Sequence, residues 1–258
     1  MYTFNTWRDP YNMGFSPCSK RKVTIEQGIT VLVGCNGAGK TTLINNIKEC
    51  IGKEHIPCYS FDNLNEGGAY AREKAVSTGD LEFCATAWCS SEGENITLNL
   101  SRMIQNIKDF IKTGETPKSR RNKRLAKAFR GNDIKDKTNP CNKRFIIMDA
   151  VDSGYSIDNI VDLKAVLHSI VSYAEKCHTE LYIILSANEY ELAADENCLD
   201  TTNGNYLRFD DYKSFKSFIL KSRKKKDTRI EKAIAKKNNN DKCTLAENED
   251  NKGDDEHE

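Results

Sequence analysis

The sequence predicts an α/β domain: a mostly parallel sheet with helices on both faces and a small helical lobe. Three continuous apolar runs carry this expectation, ITVLVG, RFIIMDA and ELYIILSAN, each of the length and composition of a strand buried on both faces. The first is followed by a segment of helical spacing, and another such segment lies between the second and third. Strand and helix in alternation favour parallel pairing, because a helical crossover brings the chain back to the same end of the sheet.

Taken in order, VTIEQGITVLVG (23–34) predicts a hairpin whose second strand is buried, and TTLINNIKECIG (41–52) a helix stopped by glycine. HIPCYSF is a second short strand, and residues 69–79 read as helical. NITLNLSRMIQNIKDFIKTG (95–114) places Ile96, Leu100, Ile104, Ile107 and Phe110 at three-to-four spacing, an amphipathic helix ending at Gly114 with Pro117 beyond. RFIIMDA (144–150) and ELYIILSAN (180–188) are strands joined through the helix IDNIVDLKAVLHSIVSYAEKC, in which His168 reads as structural. CLDTTNGNYLRF carries an Asn-Gly turn between two extended runs and predicts a hairpin, followed by the helix DDYKSFKSFILKSRKK.

The 258 residues are 38% apolar and 30% charged, enough for one sizeable core with polar appendages. No apolar stretch reaches the ~20 residues of a membrane span, and MYTFNTWRDPYN lacks the regions of a secretory signal, so a soluble, cytoplasmic protein is expected. Ten cysteines without a CxxC pair suggest buried thiols rather than a zinc site or a disulfide framework.

The net charge of +1 hides segregation. Residues 118–130, KSRRNKRLAKAFR, carry basic charge alone, and 221–237 hold nine basic against two acidic residues. From about residue 238 the acidic end has too little apolar surface to offset ordering entropy. The expected organisation is therefore one folded domain over 1–220, containing a helical lobe and basic insert at 95–143, then a basic helical extension over 221–237 and a disordered acidic tail over 238–258. The basic segments suit electrostatic contact with nucleic acid, or simply a solvated helix.

The chemistry-bearing motif is GCNGAGKTT, Gly34, Cys35, Asn36, Gly37, Ala38, Gly39, Lys40, Thr41 and Thr42, a complete GxxxxGK[ST] between a predicted strand and a predicted helix. Its glycines let backbone N–H groups surround phosphates, and the helix N-terminus adds positive dipole. Lys40 is the candidate for the β and γ phosphates, and the Thr41 hydroxyl is the candidate ligand for Mg²⁺, a hard ion that takes oxygen donors. Asp149 closes the next buried strand, where a carboxylate can hold the same ion through water. ATP and Mg²⁺ are the expected cofactors.

Three further segments carry a family resemblance. SSEGE (90–94) ahead of a long helix resembles the LSGGQ signature, Asn36 and Gly37 resemble the superfamily's loop, and DAVDSGYS resembles the DEPDSGLS segment of soluble members. Over roughly residues 20–210 the chain thus resembles the ABC-type and SMC-like branch of the P-loop ATPases, in particular the soluble ATP-binding proteins of phages and mobile elements. That resemblance implies a head-to-tail homodimer in which Ser91 and the Gly93 N–H of one subunit cap the γ-phosphate held by the other. An ordinary serine-rich helix N-cap is the alternative.

The departures bear on turnover. The family places Glu directly after the strand-end Asp as general base, and this chain has Ala150; its usual His becomes Asn188, and the Asp closing its D-loop becomes Ser156. Asn63 or Asn65 is the nearest candidate for the Q-loop glutamine, and Trp7, Tyr11 and Phe15 are equivalent candidates for stacking on adenine. Asp152, three residues beyond Asp149, is the expected substitute base if the chain bends sharply there. Serving the neighbouring subunit is its alternative role. About 110 residues between Lys40 and Asp149 leave no room for a coiled-coil arm. Slow ATP hydrolysis that holds a dimer closed is the leading expectation. A nucleotide-dependent switch that barely hydrolyses, and a transporter's ATP-binding subunit, are the rivals.

Overall fold

The computed structural model describes residues 1–6, 18–62, 92–130, 141–152 and 155–228, with 230 and 231, and of these 92–102 and 126–130 by backbone alone. The chain forms strands β1 (Tyr2–Asn5), β2 (Lys22–Ile25), β3 (Gly28–Val33), β4 (Cys58–Asp62), β5 (Lys143–Asp149), β6 (Glu180–Ser186), β7 (Cys198–Asp200) and β8 (Tyr206–Leu207). The helices are α1 (Lys40–Lys53), α2 (Glu92–Thr113), α3 (Pro117–Arg130), α4 (Ile157–Lys176), the short α5 (Tyr190–Ala193) and α6 (212–228).

The main sheet has six strands in the order β4-β5-β6-β3-β7-β8. Its pairings are parallel from β4 through β7, and the β7–β8 hairpin alone is antiparallel. The α/β expectation therefore holds as a mostly parallel sheet flanked by helices. Its central strands are buried on both faces because helices cover both. On one face Ile146, Met148, Ile183 and Leu185 pack with Ile107 and Phe110 of α2 and Ile160 and Leu163 of α4. The intervening residues Phe145, Ile147, Tyr182 and Ile184 point the other way, to Leu43, Ile44 and Ile47 of α1. There Phe145 stacks on Tyr182 at 4.6 Å between ring centroids, with the edge of Tyr2 closing on Phe145 at 5.0 Å.

The expected hairpin over 23–34 does not form. β2 instead pairs antiparallel with β1, a strand the sequence pattern does not predict, in a separate two-stranded ribbon. Burial explains the split. β1 and β2 each bury every second residue, which suits a ribbon laid on a surface, whereas β3 is buried along nearly its whole length and takes a parallel neighbour on each side.

Other boundaries moved less. α1 runs through Gly52 to Lys53, and α2 begins at Glu92 rather than at residue 95. The buried stripe of α2 is Met103, Ile107, Phe110 and Ile111, so its C-terminal half belongs to the main core. The basic insert forms α3, where Arg120 Nη1 donates to Asp109 Oδ2 at 2.9 Å and Lys123 pairs with Glu115. Part of its charge is thereby spent on α2 and the turn that follows it. The helix expected over 69–79 and the tail 238–258 lie outside the described residues. Among the described residues no helix is long and apolar enough to cross a membrane.

Candidate functional site

The GCNGAGKTT segment occupies the turn from β3 into α1. Gly37 and Gly39 adopt φ of 76° and 99°, a backbone that side-chain-bearing residues rarely take. At Gly34 the constraint is space, since a Cβ there would stand 2.8 Å from Thr201 Oγ1 and 3.0 Å from the Ala38 methyl. The first helical hydrogen bond runs from Leu43 N to Gly39 O at 2.9 Å, so the N–H groups of the first turn of α1 precede the helical ladder. Such a terminus favours an anion through both its dipole and its free donors.

Lys40 turns back along the loop, its Nζ donating to Gly34 O at 2.9 Å. Burial pulls its ammonium below the usual lysine value, against the opposing pull of Asp152, Cys35 and Asp149. Thr41 is exposed and Thr42 half-buried. Cys35 and Ala38 are buried, while Asn36 and Gly37 form the exposed tip.

The sheet order brings the second group of residues to the same edge. β6 lies between β3 and β5, so the ends of three parallel strands converge beside the loop. Asp149 ends β5, half-buried, and accepts a hydrogen bond from Ser186 Oγ at 2.6 Å. Ser186 Oγ in turn accepts from Ala150 N at 2.7 Å. A buried hydroxyl thus fixes the Asp149 carboxylate from the neighbouring strand. Ala150 itself adopts φ of 51°, a left-handed bend that turns the chain sharply after the strand.

That bend carries Asp152 inward, where it is 2% exposed. Its Oδ2 accepts from Asn188 N at 2.6 Å and Glu189 N at 2.8 Å, and its Oδ1 meets Asn188 Nδ2 at 3.4 Å. Asp152 therefore ties the turn after β5 to the turn after β6, with Oδ1 the less committed oxygen. The Asn188 side chain reaches the surface beside it.

Lys40, Asp149, Asp152 and Asn188 thus share one end of the sheet, as the sequence expects. Gly93 falls in the first turn of α2 rather than ahead of the helix. Ser91, Asn63, Asn65, Trp7, Tyr11 and Phe15 lie outside the described residues.

Sequence reading missed four neighbours of the site. One is Ser186. Another is Thr201, whose Oγ1 donates to Val33 O at 3.2 Å beneath the loop. The remaining two lie on α6, where Ser222 Oγ accepts from Cys35 N at 3.3 Å and Lys226 Nζ donates to Asn36 O at 3.0 Å. Ser186 had a signal, as the one polar residue closing the apolar run of β6; the two α6 residues had none, being separated from the loop by 187 and 190 residues. No family model matches the chain, and no curated protein sequence matches it.

Proposed function

We propose that this chain is an ABC-type P-loop ATPase that binds Mg-ATP, dimerises on it and hydrolyses it slowly. The observation that supports the reading most is the complete GxxxxGK[ST] loop between β3 and α1, with Asp149 at the matching end of β5 one strand beyond β6. The residues fit the cofactor: a side-chain-free tip at Gly37, first-turn donors in α1, and Lys40 lying along the loop. Thr41 and Asp149 are the oxygen donors for Mg²⁺, an ion that neutralises charge on the phosphates when bound.

Ala150 offers no carboxylate to accept a proton from water, which supports slow turnover. Asp152 remains the substitute, through Oδ1, because Oδ2 is held by two backbone N–H groups. For dimerisation, Ile157 and Val161 are 63% and 54% exposed one helical turn apart on α4, close to the bend after β5. The same missing carboxylate favours a second reading, a nucleotide-dependent switch with little hydrolysis, and measured turnover separates the two.

The central claim is tested by titrating wild type and Lys40→Ala with a fluorescent ATP analogue in Mg²⁺. Losing a half-buried cation from the polyphosphate site is expected to weaken binding by about a hundredfold, the scale of strong charge-assisted hydrogen bonds. Equal affinities would remove the reading.

A further inference from the structure

Helix α6 carries a second lysine to the phosphate loop. Ser222 and Lys226 are four residues apart and so share one face of α6. That face addresses two successive loop residues, Ser222 through Cys35 N and Lys226 through Asn36 O. The helix is seated firmly enough to aim them. Phe215 is buried and packs on Phe209 at 5.1 Å and Tyr190 at 5.8 Å between ring centroids, Phe218 meets Phe209 at 5.4 Å, and Ser222 is 3% exposed.

The position of the ammonium is specific. A Cβ built on Gly37 would lie 3.6 Å from Lys226 Nζ, which puts the charge over the open tip of the loop. Lys40 Nζ rests on Gly34 O and Lys226 Nζ on Asn36 O, so two ammonium groups hang from carbonyls two residues apart on one loop. Each ammonium has three donors, and a single carbonyl occupies one of them. Lys226 is half-buried, so its remaining donors are open to a ligand entering over the loop.

In a loop of this kind the backbone donors and helix N-terminus take the inner phosphates, and the loop lysine reaches the outer ones. The inner phosphates then already have their donors, so a further cation over the exposed tip meets the end of the polyphosphate. We propose that Lys226 is a ligand of the terminal phosphate of the bound nucleoside triphosphate, supplied from α6 within the same chain, with Ser222 fixing the helix against the loop. This rests on the reading of the loop as an ATP site and adds a discrimination that the loop alone does not supply. The chain senses the third phosphate through a helix that follows the last strand of its sheet.

The test compares wild type, Lys226→Met and Lys226→Arg. Methionine keeps the length and packing of the lysine stem without the charge. Each protein is titrated in Mg²⁺ with a fluorescent ATP analogue whose β–γ bridge resists hydrolysis and with fluorescent ADP, and folding is checked by a circular-dichroism melt. Lys226→Met is expected to bind the triphosphate about tenfold or more weakly while ADP affinity stays within about twofold, the size of one charge-assisted hydrogen bond to a phosphate. Lys226→Arg keeps most of the triphosphate affinity. Unchanged affinity for both nucleotides in Lys226→Met overturns the proposal. So does an equal loss for both, which makes Lys226 a support of the loop, and so does a gain, which makes α6 an obstruction. Wild type that binds neither nucleotide overturns the ATP-site reading itself, and the proposal with it.

Discussion

Replacing Asp152 separates holding the site together from doing chemistry in it. In Asp152→Ala the N–H groups of Asn188 and Glu189 lose an ionised acceptor at 2.6 and 2.8 Å, while the 3.4 Å approach of Asn188 Nδ2 is too long to count for much. A hydrogen bond to a charged group is worth roughly 1.5–3 kcal/mol. Truncation opens space next to the exposed residues Asn188 and Glu189, so water can enter to the freed donors and the low end applies. Two such bonds then amount to about 3 kcal/mol lost on unfolding in urea, read from the midpoint by circular dichroism. Asp152→Asn keeps an oxygen for both donors and should lose only about 1 kcal/mol, the worth of exchanging charged for neutral acceptors. The asparagine variant is thus the clean probe of proton transfer, and its single-turnover hydrolysis is expected to fall about a hundredfold. An alanine variant within about 1 kcal/mol of wild type would refute the fastening role. An asparagine variant hydrolysing at the wild-type rate would refute the substitute base.

Two further outcomes follow from the same geometry. Ala150→Glu supplies a carboxylate at a left-handed position that costs glutamate no more than alanine; it should raise single-turnover hydrolysis at least tenfold and shorten the lifetime of the proposed ATP-bound dimer in light scattering, and no gain in rate would mean that the carboxylate was not limiting. Burial, helped by Glu196, raises the Cys198 thiol from 9.0 to about 12, with Lys164 and Arg208 pulling the other way. Between those values the unfolded chain has lost a proton that the folded chain keeps, so this stability is complete below pH 9 and lost as pH rises towards 12. The shift corresponds to at most about 4 kcal/mol, and urea midpoints from pH 8 upwards should fall more steeply for wild type than for Cys198→Ala; parallel slopes would contradict it.

What could be read from the sequence depended on how far each interaction reaches along the chain. The loop from Gly34 to Thr42 is local, and its glycines and lysine announce a backbone turn and a charge without help from elsewhere. Asp149 was legible because it ends an apolar run long enough to be a strand. The β7–β8 hairpin was legible from Asn203 and Gly204. The β2–β3 hairpin was misread because a short polar interruption looks the same whether the strands on either side pair or part. Only the all-buried pattern of β3 against the half-buried pattern of β2 tells them apart, and that depends on tertiary cover. Ser186 with Asp149, Asp152 with Asn188, and Lys226 with Asn36 are bonds across 36 to 190 residues, set by strand order and helix seating. No periodicity encodes them.

The insertion of β6 between β3 and β5 governs how this region of the chain can change in length. Strand spacing is about 4.8 Å, so the loop after β3 and the carboxylate after β5 stand roughly 10 Å apart, and β6 fills the interval. It touches both sides at once: Ala187 N donates to Leu32 O, Ser186 Oγ to Asp149, and Asn188 N to Asp152. Side chains alternate along a strand, so one residue added or removed within β6 would bring Leu185 or Ala187 to the place of Ser186 and move the backbone donors off Asp152. Single substitutions at residues 180–185 leave that register in place. A deletion does not, because it shifts the partners of Asp149 and Asp152 in a single event.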